Sequence, residues 1–203
     1  MKNKTLDVRY LVSLAMLSAV LLAMSFTPLG YLTIGPLAIS LNMIPVGIAA
    51  VVLGPVGGAI TGGLFGLTSF LQCLGIGGTS PMGAILFDIS PVLAFIQRFV
   101  PRVLAGLLSG YAFLLTKKLF NRTVAGFVTG FCAAILNTIL FMTALVLLFG
   151  NTPYLQGLIN GKNVIVFICT FVGINAVVEM LAVTAGVGAV AKVLEKTGNI
   201  KRR

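Results

Sequence analysis

The chain has 203 residues, of which 58% are hydrophobic and only 9% charged, with a formal net charge of +10. A soluble domain has about a quarter of its residues charged, so this chain has too little polar surface to cover a globule in water and belongs in a membrane. No His is present, which removes the commonest general base and metal ligand; the basic residues sit mainly at the ends of apolar runs, which points to membrane topology and away from nucleic acid.

The first apolar stretch runs from about Tyr10 to Leu29, long enough to cross a hydrocarbon core that needs about 20 helical residues. The preceding MKNK resembles the start of a signal peptide. The apolar run is longer than the roughly 7 to 15 residues of a signal core, however, and LAMSFTPLG is a weak cleavage site, so the segment is expected to remain as a span. Along it Ala15, Ala19 and Ala23 recur every four residues, a ladder that serves either packing inside the protein or docking of another membrane protein. GYLTIGPLAIS follows, short β-favouring pieces broken by Gly and Pro, and predicts an ordered loop outside the membrane.

A short second stretch, Met43 to Leu53, and a third, from about Gly57 to Leu74, flank Gly54-Pro55 and predict a tight helical hairpin. Gly54, Gly58, Gly62 and Gly66 repeat every four residues, as do Gly106 with Gly110 and Gly126 with Gly130; small residues at this spacing let helices approach closely, and internal packing is expected. The fourth stretch begins near Val92 and is interrupted by Arg98 and Arg102, which makes its outer end polar. The fifth runs from Val124 to Phe149 and the sixth from about Val164 to Val193. Only residues 72–91 and 150–163 form long connections. Cys73, Cys132 and Cys169 lack metal-ligand spacing and are taken as packing residues without a disulfide. The expectation is one domain over residues 1–203, an all-α integral membrane protein with six transmembrane helices and an ordered extracellular loop after helix 1.

Charge sets the orientation. With both termini cytoplasmic, Lys2, Lys4, Arg9, Lys117, Lys118, Arg122, Lys192, Lys196, Lys201, Arg202 and Arg203 lie inside, leaving only Arg98, Arg102 and Lys162 on the outer side. Both long loops are then extracellular, on the side from which an external ligand arrives.

Glu179 is the conspicuous residue, because a carboxylate in the middle of a span costs roughly 2.5 to 3.5 kcal/mol on insertion scales. Asn175 lies one turn away on the same face, Asn137 lies in the fifth helix, and Arg98 and Arg102 share a face of the fourth. These five are candidates to line one cup open to the outside. The asparagines are equally suited to bonding between helices, the arginines to snorkelling, and Glu179 to a protonated cross-helix bond, a buried cation or a ligand's hydroxyl or amide proton. Of the arginines, Arg98 is the preferred anchor for an anion, being nearer the loop, while Arg102 is suited to being held by the chain's own carbonyls.

The segments LNMIPVGIAAVVLGPVGGAITGGLFGLTSFLQ (41–72) and SPMGAILFDISPVLAFIQRFVPRVLAGLLSGY (80–111) resemble the vitamin-binding S components of energy-coupling factor (ECF) transporters, most similar to the pantothenate type. The likeness covers nearly the whole chain and includes an Ala-x3-Ala motif, here Ala15 to Ala19. The resemblance implies a membrane subunit of the cell membrane that captures a vitamin outside and delivers it with a transmembrane coupling protein and two ATPases. It also gives Ala15 and Ala19, with Ala23 on the same ladder, the role of facing the coupling protein. No G-x4-G-K-[ST] phosphate loop occurs, so no cofactor is expected in this chain and ATP is left to the partner ATPases. Without His, and with Asp88 and Glu179 the only acids away from the termini, an intramembrane hydrolase cannot be assembled, and no enzyme is expected. Pantothenate, with one carboxylate, an amide and two hydroxyls, suits an arginine fork and asparagine amides. The alternatives are riboflavin, a pyridoxine-like vitamin, or a structural or regulatory subunit that binds no solute.

Overall fold

A backbone in hydrocarbon has to satisfy its N–H and C=O groups within its own segment, and the long apolar runs accordingly fold as helices. The computed structural model describes residues 8–27, 30–33, 38–78, 80–159 and 164–200. Lys2, Lys4, Lys162, Lys201, Arg202 and Arg203, and the side chain of Cys169, lie outside the described residues. The order is α1 (Val8–Ser25), β1 (Tyr31–Thr33), β2 (Ala38–Ser40), α2 (Met43–Leu71), a 3-10 turn at Gln72–Leu74, α3 (Pro81–Ile89), α4 (Pro91–Leu119), α5 (Arg122–Phe149), α6 (Pro153–Ile159) and α7 (Val164–Ile200). Among the described residues, five helical segments are long and apolar enough to cross a membrane: Val8–Ser25, Met43–Leu74, Pro91–Leu119, Arg122–Phe149 and Asn175–Thr197. The protein is a helical, multi-pass membrane bundle.

α2 does not run straight. At Gly54 the backbone takes φ 78° and ψ −166°, a region open essentially to glycine alone, and Pro55 then supplies the preset φ of a first helical position. A Cβ placed on Gly58 would lie 3.2 Å from that of Ala50, whereas eight residues of straight helix span about 12 Å. The chain therefore turns back at Gly54 into two arms, Met43–Leu53 and Pro55–Leu71. Both arms lie along α4: Val46 of the first reaches Gly106, and Gly58 and Gly62 of the second sit against the backbone carbonyls of Gly106 and Arg102. No side chain fits at these two glycines without pushing the helices apart, and the glycine ladder is internal packing.

α5 and α7 pack through Gly126 and Gly130, which face Ala191 and Val183–Thr184. Where α5 begins and α7 ends, Glu195 accepts hydrogen bonds from the Thr123 backbone N–H (2.9 Å) and hydroxyl. At the opposite end the two long connections fold into α3 and α6, whose Leu86 and Leu155 are fully buried in a cluster with Leu145 and Phe149. Their starts are written locally: Ser80-Pro81 and Ser90-Pro91 each place a serine at the N-cap and proline next to it, with the serine Oγ accepting from Gly83 N–H (3.3 Å) and Leu93 N–H (3.4 Å). β1 and β2 pair antiparallel, Tyr31 opposite Ser40, so these two short strands form a hairpin.

Candidate functional site

Five buried or half-buried polar residues gather where the hairpin, the second arm of α2, α4, α5 and α7 meet. Arg98, Arg102, Asn137 and Glu179 are each at most 7% exposed. Arg98 and Arg102 are four residues apart and share a face of α4. Arg98 donates from Nη1 to the Ser69 hydroxyl (3.2 Å) on α2 and from Nη2 to the Ser80 hydroxyl (3.1 Å) at the start of α3. Gly83 in the first turn of α3 lies directly over it, since a Cβ there would come within 2.7 Å of Nη2.

Arg102 is held differently. Its Nη1 donates to the Arg98 carbonyl (2.9 Å), and its guanidinium lies over the rings of Phe65 (5.0 Å) and Phe141 (4.6 Å). Each such ring contact contributes about 0.5 to 2 kcal/mol, the upper end applying to desolvated sites. Phe141 also faces Arg98, at 5.5 Å, so a single ring lies against both cations.

Glu179 on α7 accepts from Asn137 Nδ2 on α5 (3.1 Å), and the Ser40 backbone at the end of β2 and the Arg102 guanidinium both lie within electrostatic reach of its carboxylate. Buried carboxylates persist where donors and a cation offset desolvation, and both are supplied here by other elements. Asn175, one turn before Glu179, is half-buried on the same side of α7. Arg102, Asn137 and Glu179 thus form one continuous constellation, which Phe141 extends to Arg98.

Phe141, Phe65, Ser69, Ser80 and Ser40 were not singled out in the sequence. Phe141 carried a usable signal, lying one turn from Asn137 on the same face of α5; Ser40 carried none, since it acts through its backbone. Ala15, Ala19 and Ala23 lie away from this constellation, exposed along α1 together with Val12, Met16 and Val20. Among the described residues of α1 only Leu21 and Ser25 are buried, Ser25 bonding to Thr68 (3.2 Å) and accepting from Gln72 Nε2 (3.1 Å) at the helix end.

A membrane bundle that buries two guanidiniums, an acid and an amide beneath capping helices is organised as a solute-binding membrane subunit. Comparison with known families places it further. A model of the family described as "ECF transporter, substrate-specific component" matches residues 9–187, and the chain belongs to that family, a family of transporter components and not of enzymes. The chain is 32% identical over 203 aligned residues, 95% of its own length and 93% of the relative's, to the "Pantothenate transporter PanT" of Leuconostoc mesenteroides subsp. mesenteroides. It is 30% identical over 142 residues, 63% of its length and 69% of the relative's, to the "Pantothenic acid transporter PanT" of Lactococcus lactis subsp. cremoris.

Proposed function

We propose that this chain is the substrate-capture subunit of an ECF-type ABC transporter importing pantothenate. The observation that carries it is the near full-length similarity to a pantothenate transporter, together with a site whose groups match the parts of that molecule. Arg98 is the carboxylate anchor. Among its partners are the neutral hydroxyls of Ser69 and Ser80, and a carboxylate is a stronger acceptor for a guanidinium than either. Arg102 stays with the Arg98 carbonyl, the two rings and Glu179, and contributes positive potential. Asn137, Asn175 and Glu179 take the amide and hydroxyls, Glu179 as acceptor of a hydroxyl proton.

Counting the two arms of α2 separately gives six crossings, with the termini cytoplasmic. The first arm, eleven residues and about 16 Å long, reaches only half of a roughly 30 Å core, and the paired strands β1 and β2 occupy the outer part of that crossing. Lys117, Lys118, Arg122, Lys192 and Lys196 all fall where α4 and α7 end and α5 begins, and the contact of Thr123 with Glu195 brings these ends together, as expected for the cytoplasmic side. Delivery needs a transmembrane coupling protein and two ATPases that use ATP. The exposed Ala15, Ala19 and Ala23 form the face that meets the coupling protein.

Titration of the purified chain with pantothenate, its uncharged alcohol, riboflavin and pyridoxine tests the assignment. Pantothenate is expected to bind tightest and the alcohol at least about tenfold more weakly, for the lost charge-assisted pair. Preference for riboflavin or pyridoxine, or no binding of any of the four, contradicts it.

A further inference from the structure

Asn42 immediately precedes the first arm of α2, where an asparagine side chain ordinarily caps its own helix by accepting a backbone N–H. Here the Asn42 backbone is already helical, at φ −63° and ψ −15°, and the side chain makes no capping bond. It is 0% exposed, and neither Oδ1 nor Nδ2 has a hydrogen-bond partner. A buried amide left in this condition lowers stability, and an apolar side chain of the same size would serve a purely structural role better. Gly30 accommodates the amide, since a Cβ there would come within 3.0 Å of Asn42 Nδ2.

The neighbours share the same condition. Two residues earlier, Ser40 ends β2, which packs against α7, and its hydroxyl is buried without a partner. Asn137 gives Nδ2 to the Glu179 carboxylate (3.1 Å), and its Oδ1 likewise has no partner. Two polar groups without partners are therefore attached to residues beside Glu179, and a third stands two positions along the chain.

We infer that Asn42, with the Ser40 hydroxyl and Asn137 Oδ1, is part of the binding site and determines specificity by reading a hydroxyl of the ligand. This rests on the assignment of pantothenate. A ligand hydroxyl accepts from Asn42 Nδ2 and donates to one of the amide oxygens, while Arg98 holds the carboxylate. The end of the first loop thereby contacts the ligand directly, beside Glu179.

The test compares wild type, Asn42→Leu and Asn42→Ser as purified chains, measuring melting temperature without ligand and affinity for pantothenate and for two analogues, each lacking one hydroxyl. Asn42→Leu is expected to melt at or above the wild-type temperature and to lose about tenfold in affinity for pantothenate, with Asn42→Ser intermediate. For one analogue, wild type and Asn42→Leu should bind alike. If the Leu variant does not fold, the Ser variant carries the same comparison. Wild-type affinity in a folded variant, or an equal loss for pantothenate and both analogues, makes Asn42 structural and overturns the inference alone. A wild type that takes up no pantothenate overturns the assignment and the inference with it.

Discussion

Arg98 and Arg102 are chemically identical and one turn apart, yet their contacts differ. Arg98 is tied to side-chain hydroxyls, while Arg102 is bound to a main-chain carbonyl, two aromatic rings and the field of Glu179. Arg98→Ala is expected to weaken pantothenate binding roughly 10- to 150-fold, or about 1.5 to 3 kcal/mol, and to abolish the preference for the acid over its alcohol; Arg98→Lys recovers part of it. Arg102→Ala should instead lower the melting temperature, because it removes the cation facing a buried carboxylate, and the folded fraction should keep the acid preference. Titration of both variants with the two compounds separates these outcomes. At Glu179, Gln retains an oxygen for Asn137 Nδ2, whereas Ala strands that donor, at about 1 to 3 kcal/mol. Thermal melts without ligand should therefore show Glu179→Ala clearly below Glu179→Gln, and near-equal melts would mean that this bond does not hold the acid. The five polar candidates were legible because an ionic or amide group stands out in an apolar run. Phe65 and Phe141 were not, since an aromatic ring among aliphatic neighbours has no signature until its cation is placed beside it.

Of the five candidate spans α1 is the least buried: its alanine ladder is exposed, and Ser25 at its end bonds Thr68 and Gln72. Ala15→Leu and Ala19→Leu change only that outer face, so ligand affinity should match wild type while uptake by the assembled transporter falls. Paired binding and uptake assays decide it; normal uptake removes the docking role, and lost binding shows that the ladder supports the site from within. The reversal at Gly54-Pro55 was legible because glycine and proline together fit a turn better than a helix interior. The glycine ladder was legible as a packing device, although its partner was not: only the folded chain shows that Gly58 and Gly62 meet the carbonyls of Gly106 and Arg102. β1 and β2 pair within the segment expected to form a loop, and the nearness of the Ser40 backbone to Glu179 has no sequence pattern to mark it, since every residue type possesses a backbone.

At the scale of the whole molecule, the distribution of charge gives the bundle two unlike ends. Basic residues gather where α5 begins and α7 ends, while the opposite end is capped by α3 and α6 over an apolar cluster above the arginines. The buried polar constellation and the exposed alanine ladder of α1 therefore lie on different parts of the bundle, as the proposed division between solute capture and partner docking requires. Membership of the ECF substrate-specific components, residues 9–187, fixes the class, and the similarity to a pantothenate transporter over 95% of the chain narrows the cargo. The most direct measurement is mass spectrometry of the small molecule released by denaturing the chain after purification from cells supplied with a mixture of vitamins. Pantothenate should be recovered in about equimolar amount from the wild type and be depleted in Arg98→Ala. Recovery of riboflavin or a pyridoxine-like compound in its place, or of no vitamin at all, would contradict capture of pantothenate by this chain.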